Sequence, residues 1–180
     1  MLAFEFESLA ALGLTPALAS RAVAVAPSAE RPLRLLRVTE VHRNGMGVHD
    51  GAEQCSARPL PRVVRALADE GSALAVGDWV VASRDAQRAM WIEARVPPIS
   101  HLVRRDGDGQ AHPVVSNVDT GLLVMGLDAD FNPRRLERYL ALVQGAGIVP
   151  VVVLTKADVV GADGALAERL AELRGRVPTH

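Results

Sequence analysis

The chain has 180 residues, 49% hydrophobic and 23% charged, with a formal net charge of -1. That length can bury a sizeable core, as one domain or two small ones, and the composition excludes a disordered chain. The near-neutral balance excludes a general polyanion-binding field, and the single cysteine, Cys55, excludes an internal disulfide or a multi-cysteine zinc site within these residues.

No apolar run approaches the ~20 residues that span a bilayer. The opening MLAFEFESLAALGL carries Glu5 and Glu7 where a secretory leader would be basic. A cytoplasmic, reducing location with no membrane contact is expected.

Residues 1–32 read as an N-terminal helical or flexible segment. Thr15 and Pro16 form a cap and first-turn pair for a short helix, and Ala26 to Pro32 reads as a linker. From Leu33 the pattern becomes that of short strands: LRLLRVTEVHR, a turn at Asn44 to Gly47, then ARPLPRVV, DWVVAS and MWIEARV. Residues 33–112 therefore predict a small antiparallel barrel or sandwich, closed by loops at Pro97 to Ser100 and Arg104 to Pro113. From 113 to 180 the pattern is α/β. GLLVMGL is a continuous apolar run, as in a strand covered on both faces. Asn132 and Pro133 start a helix that ends at Gly145 to Gly147, and IVPVVVL is a second buried strand. The two strands should be parallel with a right-handed crossover. Ala165 to Arg174 predicts a further helix, so this region reads as the first part of a larger domain.

The stretch TKAD, Thr155 to Asp158, follows the second strand and holds the only lysine in the chain. Open α/β sheets bind ligands at the carboxyl ends of their strands. An [N/T]-K-x-D spacing there is the guanine-recognition pattern of GTPases. Guanine offers N1–H and its 2-amino group side by side, and the Asp158 carboxylate can accept from both. Adenine offers neither, and a site built on such bonds discriminates by roughly 10⁴ or more. Lys156 would lay its stem along the base with its ammonium hydrated, and Thr155 stands where an Asn is commoner. The plainer alternative is a solvated polar loop. A phosphate cradle, GxxxxGK[ST], cannot occur here, because Lys156 is the sole lysine. Two DxxG strings, at Asp106 and Asp158, read as chance.

The run from Asn117 through Asp158, together with GDWV at Gly77 to Val80 and the segment IEARVPP to HLVRR, resembles the circularly permuted GTPases of the RsgA (YjeQ/EngC) family. In that family base recognition precedes the phosphate loop. The resemblance covers about residues 33–180 and implies an OB-fold barrel followed by the first part of a circularly permuted P-loop-type GTPase domain, incomplete here. It further implies GTP hydrolysis in late maturation of the small (30S) ribosomal subunit, with contact to 16S rRNA through the OB domain. GTP would be held by Thr155, Lys156 and Asp158. The Mg²⁺ ligands, the catalytic groups and the family's C-terminal Zn²⁺ domain would all lie beyond His180, so this stretch alone should be inactive. A monomer is expected.

Residues 31–65 hold seven arginines against three acidic residues. Arg34, Arg37, Arg43 and Arg62 are the candidate rRNA contacts, with a solvated barrel face as the alternative. Trp79 and Trp91 read as core, Cys55 as a small packed residue, and the histidines have no ligand spacing. Arg134, Arg135 and Arg138 read as a solvated helix face. The rival reading of the whole is a non-catalytic OB-fold RNA-binding module with a vestigial half GTPase domain.

Overall fold

The structure, a computed structural model, describes residues 2–28, 31–108, 111–159 and 165–174. In chain order its elements are β1 (Leu2–Ala3), α1 (Phe6–Ala10), α2 (Pro16–Val25), β2 (Leu33–His42), β3 (Gly45–His49), β4 (Gln54–Pro59), α3 (Pro61–Asp69), β5 (Trp79–Arg84), β6 (Met90–Arg95), β7 (His101–Arg105), β8 (Ala111–Ser116), β9 (Thr120–Gly126), α4 (Pro133–Gly145), β10 (Val149–Thr155) and α5 (Ala165–Arg174). They form two compact units, Met1–Val118 and Asp119–His180.

In the first unit β2 pairs with β3, β3 with β4, β4 with β6, β6 with β5, and β5 back with β2. Five strands thus close into the expected OB-like barrel, antiparallel except where β4 meets β6. A bulge between Val38 and Glu40 bends β2, which has β3 and β1 as further neighbours. Strand alternation sorts the apolar residues onto two faces. Leu36, Val38, Val80 and Ala82 fill the barrel. Leu33, Leu35, Trp79 and Val81 face outward against Leu9, Leu18 and Ala22 of α1 and α2. Each fully buried Leu or Val contributes about 1.5–3 kcal/mol. The hydroxyl of Thr15 accepts from Leu18 N at 3.3 Å and so caps α2.

Two expected elements differ. ARPLPRVV is not one strand, since β4 ends at Pro59 and α3 begins at Pro61. Pro61 has no N–H for a ladder, and its fixed φ suits a first helical position. Val63 and Leu67, one helical turn apart, then enter the barrel core. Arg104 to Pro113, expected as a loop, belongs to an antiparallel hairpin of β7 and β8 that pairs Leu102 with Val115 and Arg104 with His112. Residues 109 and 110 of that stretch lie outside the described residues.

A polar junction ties this hairpin to the barrel. Asp78, fully buried, pairs with Arg95 at 3.1 Å and accepts Ala75 N at 2.8 Å. Arg95 also donates to Ser72 Oγ at 3.1 Å and Ser116 Oγ at 3.4 Å. Asn117 donates to Gly77 O at 3.0 Å and accepts Ile99 N at 2.9 Å. Gly77 has φ +86°, and a Cβ there would collide with the Ser116 carbonyl oxygen.

In the second unit β9 and β10 pair in parallel over seven residues, from Val149 opposite Thr120 to Thr155 opposite Gly126. The connection between them contains α4, whose cap residue Asn132 accepts Arg135 N at 3.0 Å through its side chain. Met125, Leu136, Leu140 and Leu173 form the core, with Leu123, Val152 and Leu154 packed against it. The other face of the sheet is open: Leu122 is 65% exposed, Val124 64%, Val149 62% and Val151 41%. Among the described residues, then, these strands are covered on one face and not on both. No helix among the described residues is long and apolar enough to cross a membrane.

The Gly77 contact sets a prediction for the barrel. Gly77→Ala should destabilise the first unit by roughly 2–4 kcal/mol, because it adds left-handed backbone strain to a backbone collision. Denaturant unfolding followed by tryptophan fluorescence checks it, and an unchanged midpoint would show that the junction gives way freely.

Candidate functional site

The parallel register brings the candidate residues to one edge. Gly126 and Thr155 are the last paired residues of β9 and β10. Whatever follows each of them emerges side by side at the carboxyl end of the sheet. Lys156 directly follows β10 with φ +60°, a left-handed conformation that costs of order 1–3 kcal/mol for a residue with a side chain. Leu127 N donates to Thr155 O at 2.9 Å and Val159 N to Lys156 O at 3.2 Å, so the loop is a tight turn. Asp128, two residues past β9, receives the Lys156 ammonium at 2.7 Å.

Asp128 is itself held. Its Oδ1 accepts Asp130 N at 3.2 Å, and its main-chain oxygen accepts Arg169 Nη1 of α5 at 3.3 Å. The Arg169 guanidinium lies 5.2 Å from the Phe131 ring centroid. Asp130 in turn pairs with Arg135 at 2.9 Å, so Arg135 is engaged and not simply solvated. The hydrogen bond from Lys156 holds the Asp128 carboxyl below the usual carboxylate range. The same bond raises the Lys156 ammonium above its ordinary value.

Thr155 and Lys156 flank the edge as the sequence implies. The Thr155 hydroxyl reaches Met125 O on β9 at 3.5 Å, a long contact that leaves it free to turn. Asp158 is exposed, and among the described residues it has no hydrogen-bond partner. A carboxylate carries two acceptor oxygens, the number that the paired donors of a guanine edge require. Asp128, Gly126 and Arg169 were not legible as site residues, because only the strand register brings Asp128 to Lys156. The DVVG string from Asp158 runs into 160–164, outside the described residues.

The four barrel arginines differ in their surroundings. Arg34 pairs with Asp50 at 3.1 Å and stays half-exposed. Arg37 is committed to the fold: its guanidinium donates to Leu12 O and to Asn117 O, the latter at 3.2 Å, and lies 5.8 Å from the Trp79 ring centroid. Arg43 is exposed in the β2–β3 turn, with no partner among the described residues. Arg62 on α3 pairs with the Glu93 carboxylate. Trp79 is fully buried, whereas Trp91 is half-buried and donates to Asp85 at 2.8 Å. Cys55 packs partly buried against the barrel core, which pushes its thiol pKa up. Among the described residues no three His, Cys, Asp or Glu side chains converge as a metal cluster.

The direction of the Asp128 shift fixes a pH dependence. A depressed carboxyl contributes stability that is present above its ordinary pKa and lost as pH falls through the depressed value. The raised lysine contributes below its ordinary pKa and loses that contribution as pH rises through the raised value. The Lys156–Asp128 tie should therefore hold across neutral pH and open in acid. Carboxyl ¹³C titration of Asp128 should show its midpoint move up in Lys156→Met, and an unmoved midpoint would mean that the lysine is not the cause.

Residues 96–176 match the family model described as RsgA GTPase. A small ribosomal subunit biogenesis GTPase RsgA of Xanthomonas oryzae pv. oryzae (strain PXO99A) is 45% identical over 125 residues, 68% of this chain and 33% of that protein. The protein of the same name from Xanthomonas campestris pv. campestris (strain B100) matches over the same shares at 45%. The chain thus spans about a third of the length of these relatives. Among solved structures, YloQ, a circularly permuted GTPase, aligns with TM-score 0.58 over 83% of this chain and 50% of its own, at 20% identity. YjeQ from Thermotoga maritima aligns with TM-score 0.59 over 79% and 48%, also at 20%. The fold is that of the circularly permuted GTPases, and it is over residues 96–176 that this chain matches the RsgA GTPase family.

Proposed function

We propose that this chain is the RNA-contacting and guanine-reading portion of a GTPase that assists late maturation of the small ribosomal subunit. The observation that carries the reading is the edge loop itself. Asp158 is exposed, with no hydrogen-bond partner among the described residues, in the loop after a parallel strand that also holds Thr155 and a lysine already fixed in a turn. Guanine's N1–H and 2-amino group would donate to Asp158, and the Lys156 stem would lie along the ring. Thr155 would supply a hydroxyl where a longer amide is commoner.

The relatives named as small ribosomal subunit biogenesis GTPases support the role, and the subunit with its 16S rRNA is the proposed partner. The apolar face of Leu122, Val124, Val149 and Val151, open among the described residues, supports a second unit that further polypeptide completes. On this reading that polypeptide supplies the phosphate loop, the Mg²⁺ ligands and the groups that orient water, as well as the zinc-binding domain. Mg²⁺ would neutralise the phosphate charge there, and residues 1–180 alone would not hydrolyse GTP. The barrel would meet rRNA through exposed arginines, foremost Arg43, with Arg34 and Arg62 able to exchange their carboxylate partners for phosphate. The protein would act as a cytoplasmic monomer.

Asp158→Asn in the complete polypeptide tests the reading. Its preference for GTP over ATP should fall by about 100-fold or more, since the amide cannot accept both donors as the carboxylate does. Competition binding with the two nucleotides measures this, and an unchanged preference would sink the assignment of Asp158.

A further inference from the structure

We infer that Asp128 is a positioning residue for nucleotide binding, which acts by pinning the Lys156 stem in its base-facing path before the ligand arrives. The inference rests on the guanine-reading assignment of the loop and adds a residue to it. Three observations meet at this point. The Lys156 ammonium sits 2.7 Å from Asp128 Oδ2, at the end of the sheet where the base would lie. Asp128 is anchored from two sides, by Asp130 N on its other carboxylate oxygen and by Arg169 on its main-chain oxygen. Between the two strands Gly126 keeps the way clear: a Cβ there would stand 2.5 Å from Asp128 Oδ1 and 3.6 Å from Lys156 Cδ.

A free lysine stem samples many rotamers, and a ligand that must still it loses affinity. Here the stem is held before binding, and the ammonium that holds it is not the group that reads the base. The division of labour follows. Asp158 decides which purine is bound. The Lys156–Asp128 pair sets how tightly any purine is bound, because a methylene stem along a ring does not distinguish ring substituents.

The test is a double-mutant cycle in the complete polypeptide, read by competition titration with GDP and IDP. Asp128→Ala should weaken both nucleotides by the same factor, about 3- to 10-fold, and leave their ratio unchanged. In a Lys156→Ala background the same change should do nothing further. Gly126→Ala should copy Asp128→Ala, since its new methyl would stand 2.5 Å from Asp128 Oδ1 and displace that carboxylate from the lysine. This second variant keeps the test decisive if Asp128→Ala folds poorly. Full affinity in both variants would overturn the inference, as would an Asp128→Ala loss that persists without Lys156. The guanine reading fails separately, if Asp158→Asn leaves the GDP-to-IDP ratio intact.

Discussion

The pairing of β9 with β10 is the constraint on which the candidate site depends. Seven residues in parallel register set Gly126 opposite Thr155. Parallel strands place their carboxyl ends together, so the two following loops share one edge. That one alignment brings Asp128 to Lys156 and gives α5 a loop to hold through Arg169. A slip of one residue would turn every side chain of β10 to the other face. The apolar run of β10 therefore acts twice, anchoring the strand against α4 and fixing the register of the chemistry at its end.

The two units use their polar groups differently. In the barrel, ionic groups are consumed by the fold. Asp78 and Arg95 are buried together, and Arg37 ties Leu12 and Asn117 while covering Trp79. Breaking such a buried pair costs about 3–5 kcal/mol, because the partner is left charged and dry. At the sheet edge of the second unit the charges stay accessible, with the paired Lys156 half-exposed and Asp158 exposed. Solvent screens that pair, so its worth lies in holding a geometry rather than in stability.

Much of this was legible in the sequence because the signals were local. Thr15–Pro16 and Asn132–Pro133 mark helix starts by cap chemistry and a fixed φ, and both helices start there. The apolar runs at 121–127 and 148–154 marked two strands, and the lone lysine lies directly after the second. What escaped depends on partners distant in the chain. Ala57 to Val64 is apolar enough for a strand, but barrel closure needs a plug that α3 provides through Val63 and Leu67. The β7–β8 hairpin is held by Gly77 and Asn117, which no local pattern around Arg104 announces. Arg37 reads as a surface charge until the N-terminal helices lie over β2. Asp128 reads as a loop residue until register sets it against Lys156.

On the proposed function, the Asp158 carboxylate reads two adjacent donors on guanine. The most direct measurement changes the ligand and leaves the protein intact: equilibrium binding of GDP and IDP to the complete polypeptide. Inosine keeps N1–H and lacks the 2-amino group. A hydrogen bond to a charged group is worth about 1.5–3 kcal/mol. IDP should therefore bind roughly 10- to 100-fold more weakly than GDP. Equal affinity for the two would contradict it, because the edge loop would then not be reading the 2-amino group at all.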